Sequence, residues 1–92
     1  MADTRSVAIR VSGKVQGVWF RASAKSVATN LRLTGRVSNQ SDGSVYLEAS
    51  GSAEAIENLI EWCHKGPEFA RVESIDVVDI DDPGYSTFKI DR

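Results

Sequence analysis

The sequence holds one cysteine, Cys63, and one histidine, His64. One thiol excludes an intrachain disulfide, and so few soft ligands exclude a cysteine- or histidine-rich metal site. Two prolines and seven glycines in 92 residues exclude collagen-like and low-complexity chains. No apolar run approaches the length of a membrane span, and Met1 to Arg10 contain no signal-peptide core. These absences predict a cytoplasmic, reduced protein with no membrane partner. The length predicts a single domain, residues 1–92, too small for a two-lobed dinucleotide enzyme, so no cofactor is expected. At 41% hydrophobic and 26% charged, the chain has the composition of a folded globule rather than a disordered one.

The net charge of −2 hides a division. Up to Arg36 there are seven basic residues and one acid, Asp3; from Val37 onward there are four basic residues and twelve acids. A basic first third predicts that an anion is handled there, or that the two parts attract each other within one fold. The acidic balance overall disfavours a nucleic-acid backbone as partner.

Periodicity gives a coarse order of elements. Val7, Ile9 and Val11 alternate with polar or small residues as a half-buried strand. Gly13 to Gly17 reads as a loop, and Phe20, Ala24, Val27, Ala28 and Leu31 as one face of a helix that Gly35 ends. Val37 then Asn39 open a second strand, the Asp42-Gly43 pair signals a hairpin, and Val45, Leu47 and Ala49 return. Ser52 is positioned to cap a second helix with Glu54 in its first turn and Ile56, Leu59, Ile60 and Cys63 on its apolar face; Gly66-Pro67 stops it. A long strand follows through Val72, Ile75, Val77, Val78 and Ile80, its alternation slipping between Val77 and Val78, where a bulge or twist is expected. Phe88 and Ile90 close the chain as a short strand. The fold class is α+β: a ferredoxin-like β-α-β-β-α-β sandwich, a mostly antiparallel sheet with two helices on one face and a short fifth strand.

Few residues are placed for chemistry. Cys63 falls on an apolar helix face and reads as core, and His64 has no second imidazole to complete a metal site. Glu54, Glu57 and Glu61 read as a solvated helix surface. What remains is Gly13-Lys-Val-Gln-Gly17, between a strand and a helix, with Arg21 at the helix start. Such a loop can turn backbone N–H groups toward an anion, and a guanidinium fork matches a phosphate. A plain strand-to-helix connection is the alternative. Asn39, beside the hairpin, serves either turn geometry or the orientation of a water molecule.

The run Val11-Ser-Gly-Lys-Val-Gln-Gly-Val-Trp-Phe-Arg21 resembles the first signature of the acylphosphatase family, and Gly35-Arg-Val-Ser-Asn39-Gln-Ser-Asp-Gly43-Ser-Val45 its second. The resemblance covers nearly the whole chain. It implies hydrolysis of the carboxyl–phosphate anhydride of acyl phosphates without metal or covalent enzyme intermediate. It implies that Arg21 and the loop N–H groups of Gln16, Gly17, Val18, Trp19 and Phe20 bind the phosphoryl group, and that Asn39 holds the attacking water. The implied partner is a small acyl phosphate, with inorganic phosphate or sulfate as competing anion; a monomer is expected. Arg36 stands where the family usually has an aromatic residue and Ser38 where a longer side chain is common. An exposed Arg36 there would add positive field for the substrate. The competing reading is a non-catalytic anion-binding or regulatory module on the same fold.

Overall fold

The computed structural model describes residues 3–91; Met1, Ala2 and Arg92, at the ends of the expected domain, lie outside the described residues. The elements are β1 (Thr4–Lys14), α1 (Phe20–Asn30), β2 (Thr34–Asn39), β3 (Val45–Ser52), α2 (Ala53–Lys65), β4 (Arg71–Asp79) and β5 (Phe88–Ile90). They form one five-stranded sheet in the order β4-β1-β3-β2-β5. β1 is antiparallel to β3 and β4, β2 is antiparallel to β3, and β5 alone is parallel to its neighbour, β2. The expected α+β arrangement is therefore present, with a mixed sheet. No helix is long and apolar enough to cross a membrane.

One sheet face packs on the helices. Val7, Ile9 and Val11 of β1 and Leu47 of β3 are fully buried there, as are Ile56 and Leu59 of α2. These alternations are why the strands and the second helix form where they do: each buries one stripe and wets the other. Ser52 accepts a hydrogen bond from the Ala55 N–H at 3.1 Å, the expected cap of α2. Cys63 is wholly buried, and burial pushes its thiol up to about 12, so it packs as core and is not a nucleophile. Phe20, at the start of α1, stacks tilted on Trp62 of α2 with ring centroids 5.2 Å apart, tying the two helices together.

Three local expectations are corrected. The register break in the β1–β4 ladder lies between Ser12 and Gly13, not at Val77/Val78. Ser12 faces Ser74 and Gly13 faces Val72, so Glu73 is the extra residue, and the inward phase shifts from Val72 to Ile75. Val78 simply points outward from an edge strand and is 60% exposed. Gly13 belongs to this break rather than to a loop, since β1 runs to Lys14; its φ is 128°, and a Cβ there would collide with the Arg71 carbonyl.

The third concerns the end of α1. Gly35 lies inside β2, with a φ of 150°, where a side chain would strike the Glu48 carbonyl. The left-handed residue after the helix is Arg32, with φ 61°. Its N–H donates to the Thr29 carbonyl at 3.0 Å and the Leu33 N–H to the Ala28 carbonyl at 2.9 Å. That paired pattern is a Schellman closure with arginine where glycine is usual, and buried Leu33 provides its apolar contact.

Candidate active site

Residues 15–19 join β1 to α1 along one end of the sheet. Gly17 has φ 74° and Trp19, the cap residue of α1, has φ 65°. A left-handed tryptophan costs about 1–2 kcal/mol, which neighbouring structure must offset. The offset is visible on either side of it: Val18 and Phe20 are buried while Trp19 is 78% exposed. Two anchors thus hold a strained backbone between them.

No side chain caps α1, and its first turn carries no acid. The first turn bond runs from the Ser23 N–H to the Trp19 carbonyl at 3.0 Å. The N–H groups of Phe20, Arg21 and Ala22 are therefore the open donors of the helix start. Arg21 adds a positive charge where the helix dipole is already positive. An acid in this turn would stabilise the helix, and none is present; the open N–H groups and Arg21 leave this end electropositive.

A cleft of about 410 Å³ opens at this point, lined by Val15, Gly17, Trp19, Phe20, Arg21, Ala22, Asn39 and Ile90. Of the residues expected from sequence, it brings together Gly17, Trp19, Phe20, Arg21 and Asn39. Gln16 and Val18 do not line it. The Val18 side chain is in the core. The Gln16 amide instead crosses to the hairpin between β2 and β3, donating to the Gln40 carbonyl at 2.8 Å and the Ser44 carbonyl at 2.9 Å. This clamp was not foreseen; a glutamine between two glycines signals nothing in sequence about its distant partners.

Asn39 is the last residue of β2, exposed at the edge of the cleft. The turn beside it is closed by other groups. The Gln40 N–H donates to the Ser44 carbonyl at 2.8 Å. Asp42 accepts from the Ser44 N–H at 2.9 Å and its hydroxyl at 2.6 Å, and these two donors hold the Asp42 carboxyl below its usual range. The hydrogen bonds that close the hairpin thus come from Gln40, Asp42 and Ser44 rather than from the Asn39 side chain.

The basic first third divides in the same way. Arg5 pairs with Glu57 and Asp79, Arg10 with Asp42, and Arg36 with Glu48 and Asp91. Among the described residues, the recorded partner of the Arg21 guanidinium is the Asp91 carbonyl oxygen, at 3.3 Å. Three of the seven basic residues, Arg5, Arg10 and Arg36, are thus paired across the fold, while Arg21 lines the cleft. Arg36 does not supply an open field for an anion, contrary to expectation. It lies over the Tyr46 ring at 5.3 Å, on the sheet face away from the helices, held between two carboxylates. Ile90 and Asp91 were also missed, since a three-residue terminal strand gives no hint of its neighbours.

The comparisons with known proteins agree with this fold. The family model for acylphosphatase matches residues 7–90. An acylphosphatase of Methylococcus capsulatus is 51% identical over 73 residues, covering 79% of each chain. One from Natronomonas pharaonis is 40% identical over the full length of both chains. The solved structure of an acylphosphatase from Coxiella burnetii superposes with a TM-score of 0.93 at 40% identity, covering 97% of this chain and 94% of that one. The chain belongs to the acylphosphatase family.

Proposed function

We propose that this chain hydrolyses acyl phosphates to a carboxylate and inorganic phosphate, with the phosphoryl group held by Arg21 and the loop and helix-start N–H groups, and the water held by Asn39. The observation that carries the proposal is the meeting of Arg21, an open helix N-terminus and Asn39 in one cleft. The N–H groups of Gly17, Trp19 and Phe20, the open donors of the helix start and the Arg21 fork surround the equatorial oxygens, where charge accumulates in phosphoryl transfer. The Asn39 amide accepts from a water and aims its oxygen at phosphorus, opposite the leaving group.

In that step a bond forms between the water oxygen and phosphorus. The bond from phosphorus to the acyl oxygen breaks, and its electron pair leaves on the carboxylate. The water proton passes to a phosphoryl oxygen of the substrate. An anhydride with so good a leaving group needs no general acid of tuned pKa, which suits a cleft whose lining among the described residues holds no carboxylate or imidazole side chain. Inorganic phosphate and sulfate, which share the phosphoryl shape and charge, act as competing anions. The protein works as a cytoplasmic monomer of one domain.

Hydrolysis of acetyl phosphate in ¹⁸O-labelled water tests the chemistry. The proposal requires the label in inorganic phosphate. Label in acetate would mean attack at the carbonyl carbon and would overturn it. A folded protein that binds phosphate without turning over acetyl phosphate would favour the regulatory-module reading instead.

A further inference from the structure

Asp91 touches both sides of the sheet. Its N–H donates to the Val37 carbonyl at 2.8 Å, its carboxylate accepts from Arg36 Nη1 at 2.8 Å, and its carbonyl oxygen accepts from Arg21 Nη1 at 3.3 Å. Arg36 is fixed in turn: its Nε donates to Glu48 at 3.1 Å, and Glu48 also accepts from the hydroxyls of Tyr46 at 2.8 Å and Tyr85 at 2.7 Å. A chain of hydrogen bonds therefore runs from the helix-free face of the sheet, through the residue after β5, to the cleft.

We propose that the Arg36–Asp91 ion pair is a positioning device for Arg21, resting on the role given to Arg21 above. It has two effects. It fixes the Asp91 peptide so that its carbonyl holds the Arg21 fork in place. It also neutralises a carboxylate that would otherwise stand, uncompensated, on the residue contacting the anion-binding group.

The two effects separate in a variant series. The readings are the inhibition constant of inorganic phosphate, kcat and KM for an acyl phosphate, and the thermal midpoint. Arg36→Met leaves the Asp91 charge bare and loosens the peptide; phosphate inhibition should weaken by about tenfold. Asp91→Asn removes the ionic hold and the charge together, and should cost less. The double variant should resemble Asp91→Asn, recovering part of the Arg36→Met loss, and Arg36→Lys should restore most of it. In an Arg21→Lys background, Arg36→Met should have little further effect.

Wild-type phosphate inhibition in Arg36→Met, with only the thermal midpoint lowered, would overturn the proposal and leave Arg36 a structural ion pair. Losses that simply multiply with those of Arg21→Lys would also overturn it. If Arg21→Lys itself left phosphate inhibition and turnover unchanged, the functional reading of Arg21 would fall first, and the positioning role with it.

Discussion

The side-chain amide of Gln16 donates to the backbone carbonyl of Gln40 at 2.8 Å, joining the loop that precedes Arg21 to the turn that follows Asn39. The second amide bond, to the Ser44 carbonyl, makes the join two-pronged. The site is assembled from two segments far apart in sequence, and this clamp sets their spacing. Gln16→Glu would press an acceptor against two carbonyls. It should cost about 2 kcal/mol or more in stability and lower turnover, measured by denaturant unfolding and by kcat on the same preparation. Wild-type stability in that variant would mean that the clamp is not made in solution.

Arg21→Lys keeps the charge but loses the fork. The expected cost is about 2–3 kcal/mol of transition-state stabilisation, roughly two decades in kcat/KM. Steady-state kinetics on an acyl phosphate measures it directly. A rate close to wild type would contradict bidentate binding of the phosphoryl group.

Asn39→Ala removes the amide proposed to hold the water while leaving the hairpin bonds around Asp42 and Ser44 intact. Turnover should fall by about two decades, with the inhibition constant of phosphate changed several-fold at most. Equal losses in turnover and phosphate affinity would indicate a binding or folding role instead.

Arg32 holds a left-handed conformation that glycine adopts without cost, and its side chain is exposed. Arg32→Gly should stabilise the protein by about 1 kcal/mol with unchanged turnover, read from denaturant unfolding. A loss of stability would mean that the arginine stem contributes more than the strained backbone costs.

Glu48 sets part of the pH dependence of stability. Burial raises its carboxyl, but hydrogen bonds from Tyr85, Tyr46 and Arg36 outweigh burial, and the net position is below the ordinary carboxylate value. A lowered folded-state pKa gives stability that is present above the unfolded value and lost as pH falls through the folded one. Glu48→Gln should therefore be less stable than wild type at pH 7, and the gap should begin to close only as pH falls below the ordinary carboxylate value of about 4. A constant gap across that range, by thermal unfolding, would place the effect in packing rather than ionisation.

Much of this was legible in the sequence because local rules and tertiary structure agree. The alternation around Ile9 and Leu47, the Ser52 cap and the apolar stripe of α2 each report a burial pattern that the fold then uses. The candidate site was legible as types and spacing: a glycine loop, an arginine at a helix start, an asparagine before a turn. The misses are long-range. The three-residue step from Val72 to Ile75 records the bulge, but only the facing Ser12–Gly13 step shows which strand bends. Arg36 read as surface charge because its partners Glu48 and Asp91 lie 12 and 55 residues away. Gly35 read as a helix stop because nothing local reveals the Glu48 carbonyl packed against it.

The central claim is that Arg21 at the α1 start makes this cleft a phosphoryl-transfer site. The most direct measurement is hydrolysis of a simple aryl acyl phosphate, followed by loss of ultraviolet absorbance in excess chelator, for the wild type beside Arg21→Gln. Fast chelator-resistant turnover by the wild type, lost in the folded variant, is the predicted result. Equal rates in the two proteins, or no turnover by a folded wild type, would contradict it.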